Sequence, residues 1–360
     1  MTTRVDFLQG ADAMAPGLMR AGQTLLEALG SDPRYDVQPV RFGIYSSKLL
    51  FPFVYGALPV WLAARRPPLL HITNSWYAHV VPLLRTPVVV TCHDLIQLED
   101  ALDDRNQLKS HRRFHLLAAF RGMLGARFIA CDSRAVADRI CYYAPRVRHK
   151  LRVIPLGLSA NFRSGPVNYQ TLRDLGVRQP FVLYVGSEQP RKNLERLVAA
   201  VAAARTRVPG LQFVKVGKHQ TAEGRRSFVH ALRQHQMLMN TALLEHVADD
   251  DLVMLYRAAT ATALPSLREG FGFPPLEAMA CGCPAIVSNR DSLPETTGGA
   301  ALVVDPLNTE AIATAIERLT CDDRLRDDLI RRGVERARFF SWSRAASAYA
   351  ALYSEALGAA

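Results

Sequence analysis

The segment from Ser266 to Pro284, SLREGFGFPPLEAMACGCP, limits the possible folds more than any other part of the chain. An apolar run ends just before it at Pro265, and another runs from Pro284 to Val287, each short enough for a buried strand. Between them lie a glycine-flanked bend and a helix expected to start near Pro274 and Pro275, so the segment reads as strand, loop, helix, strand. Such a unit belongs to a parallel α/β sheet, and its loop opens at the carboxyl end of a strand, where these sheets bind ligands. Gly270 and Gly272 let backbone approach a ligand closely, and the helix start offers amide hydrogens and a positive dipole end to an anion. Glu269 opens the loop and Glu277, eight positions on, is expected on the first helical turn, so two carboxylates can grip hydroxyl groups from two sides. These features suit a polyhydroxylated ligand that carries phosphate.

A bare Glu-x7-Glu spacing recurs by chance on solvated helices, but the full segment resembles the retaining glycosyltransferases of family four, which have the GT-B architecture. Their hallmark is Glu-x7-Glu within a segment of the form PSxxEGFGxPxLEAMAxGxP. The resemblance implies an α/β fold of two Rossmann-like, doubly wound domains facing a cleft, with a C-terminal helix returning to the first domain. It also implies that Glu269 and the amides of Gly270, Phe271 and Gly272 hold the sugar of a nucleotide-sugar donor, that Glu277 takes the ribose hydroxyls, and that the backbone at Val247 lies near the base.

A second motif lies from Tyr184 to Leu197, YVGSEQPRKNLERL. A buried strand ends at Gly186, and a helix is expected near Pro190 with Arg191 and Lys192 on its first turn. Two cations there oppose the helix dipole, so packing alone does not favour them. A diphosphate lying against the turn would, with arginine giving a bidentate contact and lysine a point charge. In the resembling family the lysine binds the donor diphosphate. Ser187 stands where an arginine often follows the glycine, which moves the second charge to Arg191.

In the first half, VVVTCHDL is a buried strand running into His93 and Asp94, at the mouth of any site its sheet would form. By resemblance His93 is the active-site histidine on the acceptor side, with Asp94 beside it. Arg127 to Ser133 likewise resembles a strand ending in a serine near the acceptor.

The 360 residues, 49% of them hydrophobic, suffice for two cores. The expected division is an acceptor-binding domain over residues 1–165, a donor-binding domain over 166–340, and a returning helix over 341–360. Strands are expected at Arg4–Leu8, Leu69–Thr73, Pro87–Thr91 and Arg127–Cys131, then at Phe181–Gly186, Phe213–Gly217, Ala261–Pro265, Ala285–Ser288 and Ala301–Val304. Leu49 to Ala64 is uncharged and aromatic but broken by Pro52 and Pro59, which fits a buried helix better than a membrane-dipping surface and is too short to span a bilayer.

Six cysteines without zinc spacing, mostly in apolar runs, read as free buried thiols, and Met1 to Gly10 lacks signal-peptide character, so a cytoplasmic location is expected. The acids Asp249 to Asp251 precede Leu252, Val253, Leu255 and Tyr256 at helical spacing; they read as a cap and first turn, and no bound metal is expected. The net charge of +11 is concentrated between Arg105 and Arg152, where twelve basic residues face only Asp132 and Asp138. That excess suits an anionic membrane surface or a lipid-linked acceptor; no nucleic-acid-binding signature accompanies it.

The expected function is retaining transfer of a hexose from a nucleoside-diphosphate sugar to a hydroxyl of a glycan or lipid-linked glycan, with no cofactor. Catalysis is assigned to His93, Glu269 and Lys192, and donor binding to Gly186, Arg191, Lys192, Val247, Glu269, Gly270, Phe271, Gly272 and Glu277. His93, Asp94 and Ser133 are assigned to the acceptor side. The Pro-Arg-Lys-Asn-Leu form of the second motif resembles mannosyltransferases of polysaccharide assembly, which points to GDP-mannose. The alternatives are an inactive nucleotide-sugar-binding subunit of a membrane assembly and a GT-B phosphorylase.

Overall fold

The computed structural model describes residues 2–9, 16–41, 56–103 and 110–358. The chain divides into two compact units, Met1–Gly157 with Phe340–Ala360, and Leu158–Phe339. The expected boundary at residue 165 falls inside the second unit. Arg257 is the physical reason: its guanidinium donates to the carbonyls of Arg163 (2.9 Å) and Pro166 (3.2 Å), while the Phe162 ring packs edge-on against Tyr256.

The first unit is built on one parallel sheet with strands β1 (Thr3–Gln9), β2 (Tyr35–Arg41), β3 (Leu69–Ile72), β4 (Val88–Cys92), β5 (Phe128–Cys131) and β6 (Leu151–Val153), in the order β2-β1-β3-β4-β5-β6. β3, β4 and β5 are buried along their whole length, as strands covered on both faces must be. One face packs Leu70, Ile72, Val90 and Ile129; the other packs Phe7, Leu69, Val89 and Phe128 against the helix Trp342–Leu357. That helix is tied in by polar contacts as well as apolar ones. His71 Nδ1 meets the Tyr353 hydroxyl (2.6 Å) and His71 Nε2 meets Thr91 Oγ1 (2.8 Å), which in turn meets the Tyr349 hydroxyl (2.8 Å). Burial pulls the His71 pKa down to about 3, so the ring is neutral.

Of the aromatic Leu49–Ala64 stretch, residues 49–55 lie outside the described residues. The remainder enters the helix Leu58–Arg65, which buries Leu58, Pro59 and Leu62 but leaves Val60 and Trp61 exposed, so it is half buried rather than buried. Its end is anchored by Arg65 Nε, 2.6 Å from the fully buried Asp6 carboxylate of β1.

The second unit carries β7 (Phe181–Val185), β8 (Gln212–Val216), β9 (Thr241–Leu244), β10 (Ala261–Leu264), β11 (Ala285–Ser288) and β12 (Leu302–Val304), all parallel, in the order β12-β11-β10-β7-β8-β9. Read from β9, this is the Rossmann order, in which connections reverse direction between β7 and β10. The loops leaving those two strands therefore diverge and leave a crevice, and they are the two loops that carry the sequence motifs. Five of the six cysteines are buried; Cys321 is exposed, at the end of the helix Thr309–Cys321. Among the described residues, no helix is long and apolar enough to cross a membrane.

Candidate active site

After β7 the chain passes Gly186 and makes a single 3-10 turn, Pro190–Lys192; the helix begins only at Leu194. The expected helix start at Pro190 is therefore corrected. Proline opens the short turn, and Asn193, at φ 60°, breaks it from the helix that follows. Asn193 also holds the crevice together. Its buried amide donates to the carbonyls of Pro265 (3.0 Å) and Pro306 (2.7 Å), joining the loops after β7, β10 and β12. Deeper in, Glu188 is gripped by Lys215 Nζ of β8 (2.7 Å) and Arg225 Nε (2.9 Å), and the Tyr184 hydroxyl donates to the Ser187 carbonyl (2.7 Å).

The turn presents Lys192 to Glu269, with Nζ 2.5 Å from Oε2 and the Arg191 guanidinium 3.8 Å from the same oxygen. Burial alone would raise the Glu269 pKa, but Lys192 and then Arg191 outweigh it, so the carboxyl lies below its ordinary value and is ionised. Both cations thus converge on the one Glu269 carboxylate. Two bonds lock the loops face to face: Leu267 N donates to Arg191 O (2.7 Å), and the Arg191 guanidinium donates to Arg268 O (3.1 Å). From the loop after β11, Asp291 accepts from Glu269 N (2.8 Å) and Ser292 Oγ donates to Glu269 O (3.0 Å).

Beyond Glu269 the loop turns through Gly270 and Phe271, whose carbonyl accepts from Thr296 (2.8 Å), to Gly272. At Gly272 φ is +93°, and a Cβ would lie 2.6 Å from Leu293 Cδ2, so only glycine fits. The helix Phe273–Cys281 starts directly after it. Glu277 is the fifth residue of that helix and so stands on its second turn, not the first, because the helix begins at Phe273 ahead of the two prolines. Its Oε2 accepts from the buried Tyr256 hydroxyl (2.7 Å). Val247 lies in the loop after β9 and packs on the second unit's core. Asp249–Asp251 form the first turn of the helix Asp249–Ala258, where acids meet the positive helix end.

In the first unit, His93 bridges the carboxyl ends of three strands. Nδ1 lies 2.6 Å from Asp132 Oδ2, after β5, and Nε2 lies 2.9 Å from the Thr73 carbonyl, after β3. Both partners are acceptors, so a ring that satisfies both carries two protons. Burial opposes that charge, yet Asp132 prevails and the His93 pKa is raised. Asp94 Oδ1 accepts from Ile96 N (3.0 Å), and the buried Ser133 Oγ accepts from Val136 N (3.2 Å) as the cap of the helix Arg134–Tyr143. Sequence reasoning passed over Asn193, Tyr256, Asp291 and Asp132. Asp132 was the most accessible of these, since it follows a buried strand just as His93 does.

A Rossmann sheet that gathers two cations and a pair of glutamates beside its switch point, in a chain with a second parallel sheet, defines the class: this is a GT-B glycosyltransferase. The chain belongs to the family 4 glycosyltransferases, since the description "Glycosyltransferase Family 4" matches residues 18–162 and "Glycosyl transferases group 1" matches residues 173–336. It is similar to the serotype-specific mannosyltransferase WbdA of Escherichia coli, 30% identical over 81% of this chain and 37% of the relative, so it spans little more than a third of that protein's length. Among solved structures it resembles sucrose-phosphate synthase of Thermosynechococcus elongatus, with a TM-score of 0.79, 24% identity and coverage of 99% of this chain and 100% of the other. It also resembles HepE of Anabaena, solved in complex with UDP-glucose, with a TM-score of 0.78, 17% identity and coverage of 98% and 99%.

Proposed function

We propose that the chain moves a hexosyl group, with retention and without a metal, from a nucleoside-diphosphate sugar to a hydroxyl of a glycan or lipid-linked glycan. The observation that carries this reading is the convergence of Arg191 and Lys192 on Glu269 at the switch point. Cleavage of the bond between sugar and phosphate releases a diphosphate, and cations already fixed in place stabilise its growing charge with no reorganisation when the bond breaks. Glu269 and the neighbouring amides take the sugar hydroxyls, and Glu277, oriented by Tyr256, takes the ribose. On this reading the departing phosphate oxygen removes the acceptor proton on the same face of the sugar, so inversion is avoided without a dedicated side-chain base. His93, held between Asp132 and the Thr73 carbonyl, positions the sugar and the acceptor.

Similarity to a mannosyltransferase over most of the chain supports GDP-mannose as donor. The basic first unit supports a location at the cytoplasmic face of an anionic membrane. The test is release of nucleoside diphosphate from GDP-mannose and from UDP-glucose, each with and without EDTA. Turnover of GDP-mannose that survives EDTA and vanishes in Lys192→Ala is expected. Turnover restored only by manganese would overturn the metal-free mechanism, and preference for UDP-glucose would overturn the donor.

A further inference from the structure

The first unit carries a polar cavity lined by none of the residues assigned to sugar transfer. It measures about 760 Å³ and lies at the amino ends of β4, β5 and β6, where Val88, Phe128 and Lys150 line it. His93 follows the opposite end of β4, five residues on from Val88, so about 17 Å of strand, at ~3.3 Å per residue, separates the two.

Five basic side chains line the cavity, Arg85, Arg127, His149, Lys150 and Arg152, against one carboxylate, Glu355. That carboxylate is already engaged, because Arg152 holds it through both Nε and a terminal nitrogen. Lys150 is fixed by the carbonyls of Leu124 (3.1 Å) and Ala126 (3.0 Å), which leaves one of its three N–H groups for a ligand. The guanidiniums of Arg152 and Arg127 sit 4.6 and 6.0 Å from the centre of the Phe128 ring, and a guanidinium held on an aromatic face still offers its N–H edges. Arg85 and Arg127 are exposed and have no ion-pair partner among the described residues. Three cations, Arg85, Arg127 and Lys150, thus face one cavity without a counter-charge. Like charges gathered in this way repel, and a multivalent anion removes the repulsion.

We propose that this cavity binds a phosphate or diphosphate group, at a site separate from the donor diphosphate site. Forked arginine donors beside a lysine point charge match phosphate oxygens. The volume exceeds that of a bare phosphate, so the group belongs to a larger molecule, either the headgroup of an anionic phospholipid or a soluble phosphorylated sugar. The inference is independent of the transfer reaction.

The test uses the full chain with Arg191→Ala and Lys192→Ala, which strip the donor site of its cations. Calorimetric titration with inorganic pyrophosphate should retain one binding event, and adding Arg85→Gln with Arg127→Gln should weaken it at least tenfold without changing Tm. No remaining event, or one indifferent to the arginine substitutions, overturns the proposal. With the native donor site present, Arg85→Gln with Arg127→Gln should leave donor hydrolysis unchanged. Sedimentation with phosphatidylcholine vesicles, with and without phosphatidylglycerol, separates the sources. Recovery that needs phosphatidylglycerol and is lost in the arginine variant assigns the site to a headgroup; vesicle recovery unaffected by the variant, with pyrophosphate binding lost, assigns it to a soluble phosphate.

Discussion

At the scale of single residues, Lys192 and Glu269 combine a stability role with a chemical one, and the two can be separated. Removing one member of a buried pair strands the other's charge, at a cost of about 3–5 kcal/mol, whereas replacing both by apolar residues is often neutral. Arg191 stays near Glu269, so Lys192→Met should fall at the low end of that range. Lys192→Met with Glu269→Leu should recover most of the stability in urea unfolding while donor turnover stays lost; recovery of turnover with stability would sink the catalytic assignment. The second glutamate is tested through its partner. Glu277→Ala should raise the donor dissociation constant by roughly 1.5–3 kcal/mol, the worth of a hydrogen bond to a charged group. Tyr256→Phe should raise it by less, since the carboxylate remains and only its orientation is freed. Calorimetry on the two variants decides; donor affinity unchanged in Tyr256→Phe would remove the tyrosine from the account.

At the scale of elements, the crevice depends on loops whose conformations only certain residues adopt. Asn193 supplies both a left-handed backbone and two amide donors. Asn193→Gly keeps the first and loses the second; Asn193→Ala loses both and should be the less stable by about 1 kcal/mol in thermal melts. Equal stability of the two would mean that the backbone conformation costs nothing there. The same residue explains one misplaced helix start, because proline marks a first turn without saying whether that turn continues. The central strands were legible because both faces are buried, giving unbroken apolar runs such as Val88–Val90 and Phe181–Val185. β2, β6 and β9 were not foreseen as strands. β2 and β9 are edge strands, β2 interrupted by Pro39 and β9 only partly buried; β6, the other edge of its sheet, has three residues. In the site, the motif residues were readable because charge in those positions has no packing reason. Tyr256 and Asp291 were hidden, since a buried tyrosine and a loop aspartate look ordinary until the fold brings them to Glu277 and Glu269.

At the scale of the whole molecule, the buried network around His71 makes the first unit sensitive to acid. The folded His71 pKa, about 3, lies below its ordinary 6.5, so the unfolded chain binds the proton first. Stability is full above pH 6.5 and falls as pH drops from there toward 3, by about 2 kcal/mol at pH 5. His93, whose folded pKa is raised, has the opposite sign: it favours the folded state below pH 6.5 and fades as pH rises through its folded value, so it adds no slope in the acid window. Urea midpoints for the first unit at pH 7 and pH 5 should show this loss, and His71→Gln should flatten it; an unchanged slope in the variant would assign acid sensitivity elsewhere.

The helix Trp342–Leu357 closes a core whose other walls all precede Gly157, with the whole of Leu158–Phe339 in between. During synthesis the second unit therefore emerges with every strand it needs, while the first sheet still lacks the tyrosines that cover His71. Its last wall arrives across the 182 residues of Leu158–Phe339, so the closing contacts are among the most distant in sequence that the chain makes. On the ribosome the later unit is thus the first to finish, and the earlier one waits with an apolar sheet face open to chaperones and proteases.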